Sequence, residues 1–143
     1  MSTTFRSSRQ FAATPAQVFA AISDAERIAR WWGPAGFSNR IAEFDFRPGG
    51  RWLFDMIGPD GTVYANESVF VTIEPDRLLL LRHLCQPHFQ LSITLQAAGD
   101  GCELLWEQTL DDDAQAEALR AIIEPANQQN LDRLAAELAR AAS

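Results

Sequence analysis

The chain has 143 residues, 47% of them hydrophobic, and a formal net charge of −7. That length suits one domain spanning residues 1–143 with a core of its own. The acidic balance argues against broad nucleic-acid binding and against attachment to anionic membranes, because both need a basic surface. No apolar run is long enough to span a bilayer, and the start Met1-Ser2-Thr3-Thr4-Phe5-Arg6 carries no apolar signal segment, so the expected location is the cytoplasm. The only cysteines, Cys85 and Cys102, then read as small core residues rather than a disulfide.

The residues around Phe5, Ser7 and Gln10 predict a first strand. Thr14-Pro15-Ala16-Gln17 predicts a helix start: Thr14 can cap, Pro15 suits the first helical position and Gln17 completes a capping box. Val18, Phe19 and Ile22 form its apolar side. Ser23-Asp24-Ala25-Glu26 has the spacing of a second box, so a second short helix is expected up to Trp31-Trp32, stopped by Gly33-Pro34. From Phe37 to Leu110 the period becomes two. Ala42, Phe44 and Phe46 alternate with Glu43 and Asp45; after the turn Pro48-Gly49-Gly50, Trp52, Phe54 and Met56 alternate with Arg51 and Asp55. Gly58-Pro59-Asp60-Gly61 is a second turn. Further strands are expected through Val69, Val71 and Ile73, over Leu78 to His83, over Phe89 to Leu95 and over Cys102 to Leu110, the last two joined by Ala98-Gly99-Asp100-Gly101. Strands joined by such short turns pair antiparallel. Asp111-Asp112-Asp113 places negative charge at the start of a final helix, whose stripe is Leu119, Ile123, Leu131, Leu134 and Leu138, with Pro125 predicting a kink. The order is strand, two short helices, six strands, long helix. Only the last helix is long enough to cover the apolar face of such a sheet, which makes the fold α+β.

Three segments carry a resemblance. Ala13-Thr14-Pro15-x-x-Val18-Phe19, then Trp31-Trp32-Gly33-Pro34-x-Gly36-Phe37, then Phe46-Arg47-Pro48-Gly49-Gly50-Arg51-Trp52-x-Phe54-x-Met56-x-Gly58-Pro59-Asp60-Gly61 resemble the START-like (SRPBCC) superfamily. The branch is similar to the C-terminal domain of the heat-shock-protein-90 ATPase activator. Ile73-x-Pro75-x-Arg77-Leu78 and Leu131-Asp132-Arg133-Leu134 fit it as well. The resemblance implies a helix-grip fold: a curved antiparallel sheet of about seven strands around the C-terminal helix, with two short helices after the first strand and a deep cavity between sheet and helix. It does not imply one function, since such proteins include lipid carriers, polyketide cyclases and antibiotic-sequestering proteins. Relatives often carry Gly-Trp in the last helix where this chain has Ala126-Asn127, an exchange that enlarges the pocket and places an amide in it.

Strand parity, combined with that cavity, turns Phe44, Trp52, Phe54, Met56, Leu79, Leu81, His83, Phe89, Leu91, Leu104, Trp106 and Gln108 inward, and Arg51, Asp55, Arg82, Glu103 and Glu107 outward. The aromatic members fit plain core packing; they also fit a pocket of rings with a few polar groups, the usual build of a small-molecule site. The candidate ligand-binding set is Trp32, Phe44, Trp52, Phe54, Met56, His83, Phe89, Leu91, Trp106, Gln108, Ile123 and Asn127. His83 reads either as a hydrogen-bonded core histidine or as a pocket donor or acid–base group. Gln108 and Asn127 are the candidates for a polar cluster with it. His83-x-Cys85-x-x-His88 has some of the look of zinc spacing, but Pro87 breaks the strand before His88 and no fourth ligand is evident, so no metal is expected. Gly49-Gly50 opens no helix and so is no phosphate loop. No cofactor is expected.

The functional expectation is a binding module for an apolar or aromatic small molecule, as carrier, sensor or sequestering protein. The alternatives are a polyketide-cyclase-like or hydrolase-like enzyme using the same pocket, with His83 as its one candidate catalytic residue, and a co-chaperone-like interaction protein in a stress response. The expected partners are a hydrophobic small molecule, no nucleic acid and no membrane. Homodimerisation suits a domain of this size, but no sequence feature requires it.

Overall fold

In the computed structural model, which describes residues 2–142, the elements run β1 (Thr3–Phe11), α1 (Pro15–Ser23), α2 (Ala25–Trp31), β2 (Ser38–Phe44), β3 (Arg51–Ile57), β4 (Val63–Glu74), β5 (Leu78–His83), β6 (Phe89–Ala98), β7 (Gly101–Leu110) and α3 (Asp113–Ala142). One sheet of seven strands has the order β1-β7-β6-β5-β4-β3-β2, every neighbouring pair antiparallel. Consecutive strands from β2 to β7 are neighbours because their connections are short. Strand β1 closes the other edge on β7 because α1 and α2 lie between it and β2. The sheet curves, and α3 packs against α1, α2, β1 and β7 in the helix-grip arrangement.

The helix starts follow local chemistry. Thr14 Oγ1 accepts from the Gln17 backbone N–H at 3.2 Å and the Gln17 side chain accepts from the Thr14 N–H at 2.8 Å, the reciprocal pair expected of the box. Thr14→Ala is expected to lower unfolding free energy by about 1 kcal/mol; a thermal melt matching the parent would refute this. The second start differs from the expected box. Ser23 ends α1, and Asp24 caps α2, its Oδ1 accepting from the N–H groups of Glu26 and Arg27 at 2.9 and 3.2 Å. The aspartate satisfies two of the orphaned donors of the first turn, so the serine is not needed. In the acidic run, Asp112 accepts from Ala114 N–H and Gln115 N–H, Asp113 accepts from Thr3 Oγ1, and Asp111 pairs with Arg82.

Two β-bulges re-aim side chains. The register shifts between Ile41 and Glu43, so Ile41 and Phe44 are half-buried while Ala42 is exposed rather than on the apolar face. A second shift falls between Phe70 and Thr72. On β4 the inward residues are therefore Ser68 and Phe70, while Val71 is exposed. An extra residue in one strand reverses parity beyond it and bends the strand. The core is rich in rings: Trp52 stacks on Phe54, their centroids 4.2 Å apart, and meets Trp32 edge-on, and Phe44, Phe46 and Phe70 pack around it.

Helix α3 continues through Pro125, which is exposed. Its buried stripe holds Ala116, Ile123, Leu131, Leu134 and Leu138, but also Asn127, Asn130 and Glu137. Three polar residues on a core-facing stripe need partners or a purpose.

Candidate functional site

Between the inner face of the sheet, the segment 32–37 and the middle of α3 lies a cavity of about 540 Å³. Strand parity builds one wall: Phe54 and Met56 from β3, Leu81 and His83 from β5, Leu91 from β6, and Trp106 and Gln108 from β7. Phe89 adds a ring at the start of β6. The opposite wall is α3, through Ile122, Ala126, Asn127 and Asn130, and the segment after α2 adds Trp32, Gly33, Pro34 and Phe37. Tyr64 and Ile122 line the cavity while 49% and 66% exposed, which puts them at its mouth. Among the described residues, no Asp, Glu, Lys or Arg lines this cavity.

Nine of the twelve sequence-derived candidates line this cavity: Trp32, Phe54, Met56, His83, Phe89, Leu91, Trp106, Gln108 and Asn127. Three pack elsewhere. Phe44 and Trp52 lie in the aromatic core next to the cavity, and Ile123 joins a separate cluster with Phe5, Leu110 and Ala116 under the start of α3. Parity tells which side of the sheet a ring occupies. It does not tell whether other rings cover it, and Trp52 is fully buried by its neighbours.

Sequence reasoning missed Asn66 and Ser68, which belong to the wall because β4 begins at Val63, earlier than its apolar pattern suggested. The register Ser68↔His83 places Ser68 opposite the histidine. His83 is 7% exposed and stacks on Phe89 with centroids 4.5 Å apart. Its Nδ1 lies 2.9 Å from the Pro87 carbonyl oxygen and its Nε2 2.8 Å from Asn66 Oδ1, so the ring's partners are these two and not Gln108 or Asn127, the candidates for its polar cluster. Burial pushes the imidazole below the ordinary histidine range, against the opposing pull of the Pro87 carbonyl. A neutral ring has one N–H and serves one of the two acceptors at a time.

Among the described residues, three side-chain atoms of the lining residues are buried with no hydrogen-bond partner: Trp106 Nε1, Gln108 Oε1 and Asn127 Nδ2. Asn130, by contrast, is fully used. Its Oδ1 accepts from Gly33 N–H at 3.2 Å and its Nδ2 donates to the Trp31 carbonyl at 2.9 Å. Gly33 takes a positive φ of 95°, a backbone conformation that favours glycine, where this segment runs against the end of the Met56 side chain.

The histidine–cysteine spacing does not assemble a ligand set. Strand β5 ends at His83, so Cys85 does not share its face; Cys85 Sγ lies 4.0 Å from the Glu67 carbonyl oxygen, and His88 meets Gln86 at 3.1 Å. Among the described residues, no group of three or more His, Cys, Asp or Glu side chains is placed to hold a metal ion. Both thiols are free, and burial pushes that of Cys102 up. No described helix is long and apolar enough to cross a membrane.

Comparison with known proteins places this geometry. The family model described as Activator of Hsp90 ATPase homolog 1-like protein matches residues 12–139. A solved structure from Chromobacterium violaceum is similar with a TM-score of 0.84 at 26% identity, covering 94% of this chain and 96% of that one. An AHSA1 protein from Silicibacter pomeroyi gives 0.78 at 25% identity, covering 96% and 98%. A protein from Nitrosomonas europaea shares the fold with a TM-score of 0.87 at 18% identity, covering 97% and 96%. No curated protein matches the chain.

Proposed function

The chain belongs to the Activator of Hsp90 ATPase homolog 1-like family, and on that premise we propose that it holds an apolar or aromatic small molecule in the cavity between sheet and α3, as a carrier, sensor or sequestering protein. The observation that carries this reading is a 540 Å³ cavity walled by rings and aliphatic groups without one charged side chain. Sites for drug-sized ligands occupy roughly 300–1,000 Å³ and are built in this way, apolar with a few placed polar groups.

An enzyme of the cyclase or hydrolase type would need an acid–base pair at the reacting atoms. His83 is the one candidate, and its ring faces a carbonyl and an amide rather than a carboxylate. A chaperone-directed role rests on the family description alone. Binding is the better supported reading.

The neutral dye Nile red tests it. The parent protein is expected to bind the dye with a blue-shifted, enhanced emission, and Ala126→Trp, which fills the cavity from the α3 side, is expected to abolish that signal while retaining the parent's circular dichroism. A parent protein that leaves the dye's emission unchanged, or a variant that binds it equally well, would overturn the reading.

A further inference from the structure

A second opening lies apart from that cavity. The end of β1, α1 and the last turns of α3 border a groove of about 700 Å³, and no residue lines both spaces. Phe11 and Leu138 give the groove buried apolar surface, and Ala13, Ala20, Ala135 and Ala139 give it methyl groups. Alanine side chains end at Cβ, too short to fill the space to the density of a core. Among the described residues, Arg27 is the one charged side chain on the lining, and Gln10 and Gln17 are the other polar ones.

Arg27 is held in place but not used up. Its side chain is 20% exposed and its Nε donates to Glu137 Oε2 at 2.9 Å, while neither Nη has a partner among the described residues. Four of its five N–H donors are therefore uncommitted within the protein. Glu137 also pairs with Arg30 and Arg140, so one carboxylate faces three guanidinium groups and cannot neutralise them all. Asp24 and Glu26 act on Arg30 from the start of α2, but neither lines the groove. A cation partly withdrawn from water favours an anion beside it, and the guanidinium fork matches a carboxylate with two parallel bonds. The methyl-lined space next to it favours an apolar chain. A dianionic phosphate would need a second cation, and the described lining offers none.

We propose that this groove is a second binding site, for an aliphatic carboxylate whose head pairs with the Arg27 Nη groups and whose chain lies against Phe11, Leu138 and the alanines. The site is independent of what the cavity under the sheet holds.

Decanoate, 1-decanol and decyltrimethylammonium share one chain and differ in the charge of the head; acetate is the head without the chain. Titration followed by amide resonance shifts at neutral pH gives affinity and location together. Decanoate is expected to shift the amides of residues 10–20 and 135–141 and to bind there on the order of tenfold tighter than 1-decanol, the worth of a charge-assisted pair at a half-buried site. Decyltrimethylammonium and acetate are expected to bind more weakly than 1-decanol. Arg27→Gln is expected to bring decanoate down to 1-decanol, and Ala20→Trp, which fills the groove from α1, to abolish the binding of both. Both variants are expected to bind Nile red as the parent does. Ala20 is exposed, so Ala20→Trp keeps the test alive if Arg27→Gln, which takes one bond from Glu137, fails to fold. Decanoate that binds no tighter than 1-decanol, that is indifferent to both variants, or that shifts only the amides lining the cavity under the sheet would overturn the groove site and leave the cavity reading standing. A parent that ignores Nile red yet takes decanoate at residues 10–20 and 135–141 would overturn the cavity reading and leave the groove site standing.

Discussion

Replacing Arg133 by alanine is expected to lower the unfolding free energy by about 3 kcal/mol and to loosen the segment 32–37. The guanidinium, half-buried on α3, donates from Nη1 to the carbonyls of Trp32, Gly33 and Pro34 at 2.9, 3.1 and 3.0 Å, and from Nη2 to those of Arg30 and Phe37 at 2.9 and 2.8 Å. Burial pulls its pKa down, yet an arginine stays charged at any pH of interest. These carbonyls belong to the end of α2 and the turn after it, where helix geometry leaves oxygens without intrahelical partners and the macrodipole favours a cation. Alanine removes all five bonds and the charge together. Lysine is expected to recover only part of the loss, because an ammonium is a point donor and cannot span carbonyls on two sides. Denaturant titration reads the stability, and amide hydrogen exchange reads whether Gly33 to Phe37 opens before the rest. A change below about 0.5 kcal/mol with unaltered exchange would refute the latch. The segment also carries Trp32 and Phe37 to the cavity wall, so the same variant is expected to weaken Nile red binding.

Glu137→Gln is expected to cost about 2 kcal/mol, and to flatten the acid limb of the stability profile. Glu137 is 4% exposed on α3 and accepts from Arg27 Nε at 2.9 Å, from Arg30 at 2.9 and 3.1 Å, and from Arg140 at 3.2 and 3.0 Å. Two of these arginines come from α2, so the carboxylate ties α2 to α3 beside the Arg133 contacts. The bond from Arg30 foremost, with those from Arg140 and Arg27, outweighs burial and holds the carboxyl well below the usual glutamate range. A lowered pKa in the folded state means that the unfolded chain takes up the proton first. The contribution is therefore complete above about pH 4.5 and is lost progressively as pH falls below it. His83, also lowered on folding, acts with the same sign at higher pH: its contribution is present above about pH 6.5 and declines as pH falls. It is common to both proteins, so the difference between their pH profiles isolates Glu137. Parallel profiles from pH 7 to 3 would count against the cluster.

Much of this was legible locally. The Thr14–Gln17 box, the turn glycines and the change from helical to alternating period are properties of a few neighbouring residues, and they appear where they were expected. Asp24 instead of Ser23 as cap is a contest between two adjacent candidates that a local pattern does not resolve. The two bulges were not legible, because a one-residue register shift depends on what the partner strand offers. They decide that Ala42 and Val71 face outward, and that Ser68 and Phe70 face in.

The site divides in the same way. Parity pointed seven strand residues, Phe54, Met56, His83, Phe89, Leu91, Trp106 and Gln108, to the face that lines the cavity, and it also admitted Phe44 and Trp52, which lie on the right side of the sheet but behind other rings. Arg133 and Glu137 stood in plain view as charges on the last helix, yet their roles rest on α2, about 100 residues earlier in the chain. Likewise the partner of His83 is Asn66, from a strand start that its own composition concealed.

By itself the sequence determined the element order, the antiparallel α+β architecture and the aromatic inner face, because period, capping and turn chemistry act between residues close in the chain. The tertiary structure alone decided which rings border empty space, which polar groups on α3 are spoken for and which are left unpaired. Those outcomes depend on packing between distant segments, where a shift of one residue exchanges a wall of the cavity for a face in solvent.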